Sequence, residues 1–253
     1  GIMDLTNPAN PFYGWTTVFI PYCTGDVHWG SSEAVYTFPD GLPLVGEWPL
    51  HHRGFDNFLA VLDWVRNNLE VRNPRKKAQV AVAGSSAGAY GAIATFPFIQ
   101  EILSKKARTY LLVDAGSGVV NQSFVMDALK EQWDVVPNLA TWIRGISAAI
   151  LNGRNAAHTL EVALVTSIAR AYPRTRIAQY MTAWDAVQTQ FLNIMEEIDD
   201  PSLWSDPDTL LPRFCEWSAR AQIQTYASAL ARNYRFYIGA GTNHTVLPGV
   251  PVP

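Results

Sequence analysis

The stretch AVAGSSAGAYG, residues 81 to 91, sets two serines side by side in a run where almost every neighbour is glycine or alanine. Ahead of it, AQVAVAG has the apolar, β-branched character of a buried strand, and AGAYGAIATF behind it opens a helix. Gly84-Ser85-Ser86-Ala87-Gly88 is therefore a G-x-S-x-G sequence at a strand-to-helix turn, where a sharp backbone holds a serine hydroxyl out of the fold. Residues two before and two after such a serine must be small, because strand and helix nearly touch there. Ser86 has glycine at both places, whereas Ser85 has Ala83 and Ala87. Ser86 is the expected nucleophile; the plainer alternative is a glycine-rich packing corner with no chemistry.

Outward from this turn the chain alternates strand and helix. TTVFIPY (16–22), AQVAVAG (78–84), RTYLLVDA (108–115), TRIAQYMT (175–182) and YRFYIGAG (234–241) read as strands. FDNFLAVLDWVRNNL carries Phe55, Phe58, Leu59, Leu62, Val65 and Leu69 on one helical face, and further helices follow Gly88 and run from about Leu211 to Arg232. This repetition predicts a mostly parallel sheet with helices on both faces, in one domain over 1–253. Residues 119–172 depart from the rhythm, with FVMDALKEQW, LATWIRGISAAILNG and HTLEVALVTSIARAY each able to form a helix. This insertion is either a lid or a further packing layer.

Composition excludes several classes. With 253 residues, 48% of them hydrophobic and 16% charged, and a formal net charge of -3, the chain has the profile of an ordinary globular domain rather than a disordered or strongly basic one. The basic run RNPRKK (72–77) has no interleaved aromatics and reads as a solvated turn, so no nucleic-acid partner is expected. No apolar run approaches the roughly 18 residues of a membrane span. Two cysteines, Cys23 and Cys215, make neither a disulfide framework nor a thiolate metal site, and their pairing is open. DDPSLWSDPD (199–208) lacks the spacing of a calcium loop and reads as a solvated linker, so neither metal nor cofactor is expected. GIMDLTNP at the start has no signal-peptide character.

A serine nucleophile needs a histidine base and an acid to orient it. His244 stands just beyond YRFYIGAG in the loop GTNHT; His28, His51, His52 and His158 follow no late strand. Asp185, after TRIAQYMT, is the favoured acid; Asp114, ending LLVD, is the rival. The order serine, acid, histidine, each beyond a strand, is that of α/β-hydrolases. The Ala87 N–H, next after the nucleophile, is the expected oxyanion donor.

VFIPYCTGDVHWGS (18–31), HRGFDNFLAVLDWV (52–65), AGSSAGAYG (83–91), TAWDAVQ and TNHT, in that order, resemble the pectin acetylesterase and Notum family of serine hydrolases. The resemblance implies an α/β-hydrolase fold with Ser86, Asp185 and His244 as nucleophile, acid and base. It implies a carboxylic-ester hydrolase on short-chain or carbohydrate O-acetyl esters, with a lipid or protein-lipid deacylase as the alternative and a non-catalytic binding protein of the same fold as a second. Asp26, His28, Trp29 and Tyr90, near the turn in sequence, are candidate substrate contacts or else ordinary core and rim. Trp142 and Ile146 are candidates to cover an acyl chain. Relatives carry a glycine-rich oxyanion loop ahead of the IPYC segment; no such loop precedes Phe19, which leads to the expectation that N-terminal strands are lacking. Relatives are commonly exported, so a secreted or periplasmic bacterial protein is expected, with the sequon at Asn243 unglycosylated.

Overall fold

The structure, a computed structural model, describes residues 1–37, 46–73, 75, 77–147 and 156–248. A hairpin comes first: β1 (Ser32–Thr37) pairs antiparallel with β2 (Glu47–His52), Ser32 opposite His52. Helix α1 (Gly54–Asn68) follows, then β3 (Gln79–Ser85), α2 (Ala87–Ile102) and β4 (Arg108–Asp114). A π-helical segment, Phe124–Gln132, leads to α3 (Ala156–Ala171), β5 (Arg176–Thr182), α4 (Ala186–Glu196), α5 (Pro207–Ser228) and β6 (Tyr234–Gly239).

Strands β3, β4, β5 and β6 form one parallel sheet in that order, with Ser85 beside Asp114 and Thr182 beside Gly239 at the carboxyl ends. This is the mixed α/β architecture of the α/β-hydrolase type. Because the strands run in sequence order and crossovers are right-handed, the connecting helices share one face. Thr109, Leu111 and Val113 of β4 are buried there with Ile177 and Met181 of β5, while Tyr237 on the opposite face is 67% exposed and stacks on Tyr180. The two sheet faces are thus unequally covered.

The 119–172 excursion belongs to the main core. Val125, Leu129, Trp133, Val135, Leu139, Ile143 and Ile146 share one buried cluster with Leu160, Leu164, Val165 and Ile168 of α3 and with Ile93 and Phe96 of α2. Packing accounts for these side chains, Ile146 included. Trp142 is half exposed and sets its ring edge-on against Phe98, the centre of an aromatic group with Phe55 and Phe58. The end of the second expected insertion helix, residues 148–153, lies outside the described residues, as do Pro74 and Lys76 of the basic run.

Two local readings change. TTVFIPY is not a strand: residues 16–23 make no backbone-to-backbone hydrogen bond among the described residues, and Phe19 is 69% exposed. β-propensity reports side chains suited to a pleated surface, and without a neighbouring ladder it forms nothing. The acidic 199–208 run is not merely a linker. Asp200 caps a 3-10 turn at Pro201–Leu203, and Asp206 accepts from the Asp208 and Thr209 amides at the start of α5. Cys23 and Cys215 are both exposed, free thiols.

Among the buried carboxyls, that of Glu161 is pushed off its ordinary value. Glu161 of α3, facing Tyr90 and Tyr234, is pushed up from its ordinary value of 4.5 to about 8 by burial. The folded state therefore keeps a proton the unfolded chain gives up, so stability falls as pH rises from about 4.5 to about 8 and changes little below that window. Glu161→Gln removes the ionisation. Calorimetry at about pH 9 should show a melting temperature at least about 2–4 °C higher, the shift that 1 kcal/mol produces in a chain of this size, with little change near pH 4.5. Equal shifts at both pH values would refute burial as the cause.

Candidate active site

The turn between β3 and α2 has the geometry its glycines require. Ser86 sits at φ 56° and ψ -124°, a left-handed conformation that a non-glycine residue holds only where its surroundings enforce it. Its N–H donates to the Asp114 carbonyl at 2.8 Å, and its own carbonyl accepts from Ala89 N–H at 2.9 Å. A Cβ on Gly84 would land on the Gly88 carbonyl oxygen, so strand and helix touch at that point, whereas a Cβ on Gly88 would meet nothing within 4 Å. Ala87 opens α2, and its N–H, the first of the helix, has no intrahelical carbonyl to bind. The Ser85 hydroxyl is committed inward, donating to Asp114 Oδ2 at 2.9 Å. Of the two serines, Ser86 is the one on the strained turn.

Asp185 follows β5 and caps α4. Its fully buried carboxylate accepts from the Gln188 backbone N–H at 2.9 Å and from Gln188 Nε2 at 2.8 Å. The ring of His244, beyond β6, meets the same carboxylate through Nδ1 at 2.8 and 3.0 Å. With Nδ1 donating to the carboxylate, Nε2 carries the lone pair, and Nε2 is buried without a hydrogen-bond partner among the described residues. The loop carrying the histidine is tied to the acid's segment: Trp184 N–H donates to Gly241 O, Ala186 N–H to Thr242 O, and Thr182 Oγ1 to Asn243 O. The structure thus brings the expected acid and base together at the carboxyl end of the sheet, where Ser86 also lies.

Asp114, the rival acid, does not touch the imidazole. Its Oδ2 accepts from Ser85 Oγ and from the backbone N–H groups of Val246 and Leu247, at 2.9 and 2.8 Å for the two amides. Gln188 is a site residue that the sequence reading passed over. A glutamine three residues after an N-cap aspartate was the available signal, since that spacing lets the N3 side chain fold back onto the cap.

Three of the four candidate substrate contacts have internal roles instead. Asp26 is fully buried and accepts from Thr24 Oγ1, His28 N–H and Gly54 N–H at 2.7, 3.1 and 2.8 Å. Trp29 is buried, with Nε1 donating to Tyr90 O at 2.9 Å, and the Tyr90 hydroxyl accepts from Gly118 N–H at 3.1 Å. Burial pushes the Tyr90 phenol up. Together they fix the 24–30 loop on the first turns of α2, with Val27 and His28 both at positive φ. His28 alone stays partly open, packed beside Tyr22 and against Gly91; burial lowers its pKa, and the Asp26 charge opposes that. His52 is a satisfied core histidine, bonded to Tyr36 OH and Thr24 O. A cleft of about 350 Å³ lined by Asn121, His158, Glu196, Glu216 and Arg220 includes neither Ser86 nor His244.

The pectinacetylesterase family model matches residues 1–236, the serine turn and Asp185 included, and stops short of His244, whose place rests on geometry. Comparison with curated proteins and with solved structures gave no match. Among the described residues, no helix is long and apolar enough to cross a membrane.

The close approach at the turn is open to test. Gly84→Ala should cost roughly 1–3 kcal/mol in urea unfolding, the usual cost of overpacking, while Gly88→Ala should be nearly neutral. Equal losses would show that the contact at Gly84 is not what constrains the turn.

Proposed function

The chain belongs to the pectinacetylesterase family, and on that premise we propose that it is a serine esterase acting on O-acetyl groups of carbohydrate. Esterase chemistry on a carbohydrate ester is the family's expectation. The serine mechanism rests on one observation above others: a buried Asp185–His244 pair whose Nε2 has no partner, at the same sheet end as a strained Ser86.

In this reading Ser86 Oγ attacks the ester carbonyl carbon while His244 Nε2 takes the hydroxyl proton, and Asp185 holds the imidazole in the required tautomer. Negative charge collects on the carbonyl oxygen, which the Ala87 N–H faces as an oxyanion donor. The tetrahedral intermediate collapses, the proton on Nε2 goes to the leaving alkoxide, and the sugar hydroxyl departs from an acetyl-serine. Water, deprotonated in turn by His244, then attacks that ester, and the proton passes from Nε2 to Ser86 Oγ as acetate leaves. No step calls for a metal or cofactor.

A short acyl group is favoured over a lipid chain by the place of Trp142. It rests on Phe98, twelve residues along α2 from Ser86, or about 18 Å at the helical rise, and so does not roof the nucleophile. His28 remains a candidate contact to the sugar. Export, a bacterial source and an unmodified Asn243 belong to the same proposal; a glycan on Asn243 in active protein would remove His244 from the mechanism.

A fluorophosphonate should label wild type stoichiometrically at Ser86 and leave Ser86→Ala unlabelled, and Asp185→Asn should lower kcat by about 10⁴-fold. On p-nitrophenyl esters the specificity constant should be highest for acetate or butyrate. A maximum at eight or more acyl carbons would favour a deacylase of lipids, and absence of labelling would favour a binding protein.

A further inference from the structure

We propose that Asp114 is the positioning residue that sets the base against the nucleophile, clamping the His244 loop to the Ser86 turn with its two ends. The inference rests on the serine-esterase reading for its kinetic consequence but not for its structural one. The backbone end of Asp114 accepts the Ser86 N–H at 2.8 Å. Its side-chain end accepts the N–H groups of Val246 and Leu247, two and three residues beyond His244, and the hydroxyl of Ser85. One residue thus holds both reacting groups from opposite sides, and three donors converge on a single carboxylate oxygen.

The other attachments of that loop lead elsewhere. Gly241, Thr242 and Asn243 are held by Trp184, Ala186 and Thr182, all on the acid's side. Those bonds fix His244 relative to Asp185 and say nothing of its distance from Ser86. Leu247 O accepts from Ile2 N–H, a contact away from the turn. Among the hydrogen bonds of the described residues in this loop, only those to Asp114 reach across to the nucleophile's side. Losing them leaves the His244–Asp185 pair whole while freeing it to drift from Ser86, and a displacement of about 1 Å in reacting groups costs on the order of 10²-fold in rate.

The carboxylate is 1% exposed, and Oδ1 has no partner among the described residues. An asparagine with its carbonyl oxygen at Oδ2 keeps all three acceptor bonds and loses only the charge, so it separates geometry from electrostatics.

The test compares wild type, Asp114→Ala and Asp114→Asn by amide hydrogen exchange and by p-nitrophenyl acetate hydrolysis across pH. In Asp114→Ala, exchange at Val246 and Leu247 should quicken by about tenfold or more. Its kcat should fall by on the order of 10²-fold with KM and the apparent pKa of kcat/KM nearly unchanged. Asp114→Asn should recover most of both. Unchanged exchange in the alanine variant overturns the clamp, and this arm decides it even if wild type fails to react with fluorophosphonate and the esterase reading falls. Faster exchange with full activity overturns the positioning role. A shifted pH profile would make Asp114 a partner of the imidazole instead, and an asparagine variant no better than alanine would transfer the effect from geometry to charge; either result defeats the proposal as stated.

Discussion

The contact between strand and helix at Gly84 governs the arrangement of the site. Because the chain turns there with no room for a side chain, Ser86 is forced to positive φ, and that conformation costs on the order of 1–3 kcal/mol. The bonds Ser86 N–H to Asp114 O and Ala89 N–H to Ser86 O each return about 1 kcal/mol and pin the turn to β4 and α2. The parallel register carries the constraint onward. Ser85 lies beside Asp114 and Thr182 beside Gly239, so each strand delivers one polar group to a common edge: Ser86, Asp114, Asp185 and His244 in turn. A sheet in sequence order converts a linear spacing of residues into a row of neighbours.

What the sequence made legible follows from this geometry. Ser86, Asp185 and His244 stand just past apolar strands, and strand ends are visible as a change from β-branched runs to glycine and polar residues. Two glycines at fixed offsets separated Ser86 from Ser85. The role of Asp114 was not legible, because its partners are backbone amides 132 and 133 residues away, and a backbone amide leaves no mark on residue identity. Gln188 left only the spacing of a capped helix.

Sequence proximity misled where burial decides. Asp26, Trp29 and Tyr90 lie near the turn, but a tryptophan and a tyrosine offer the same letters whether they face a sugar or a helix. The clue to burial was indirect: Cβ atoms on Gly30 or Gly54 would press on the Asp26 carboxylate, so those glycines exist to admit it. The β1–β2 hairpin was missed for a related reason. Pro49 and a mostly exposed β2 break the alternation that marks a strand with a covered face. TTVFIPY erred in the other direction, having the side chains of a strand and, among the described residues, no partner to pair with.

The helical excursion bears on substrate size through the same distinction between composition and placement. Its apolar residues suit an acyl pocket as well as a core, yet among the described ones Leu139, Ile143 and Ile146 are spent on α2 and α3, and Trp142 on the Phe98 group. An acyl chain gains about 0.8 kcal/mol per methylene only where apolar surface is free to receive it. Side chains already buried against one another offer no such surface, and a methylene placed there would have to displace a core contact of similar worth. Among its described residues the excursion thus offers little surface of that kind, and the short-acyl specificity proposed above asks for none of it.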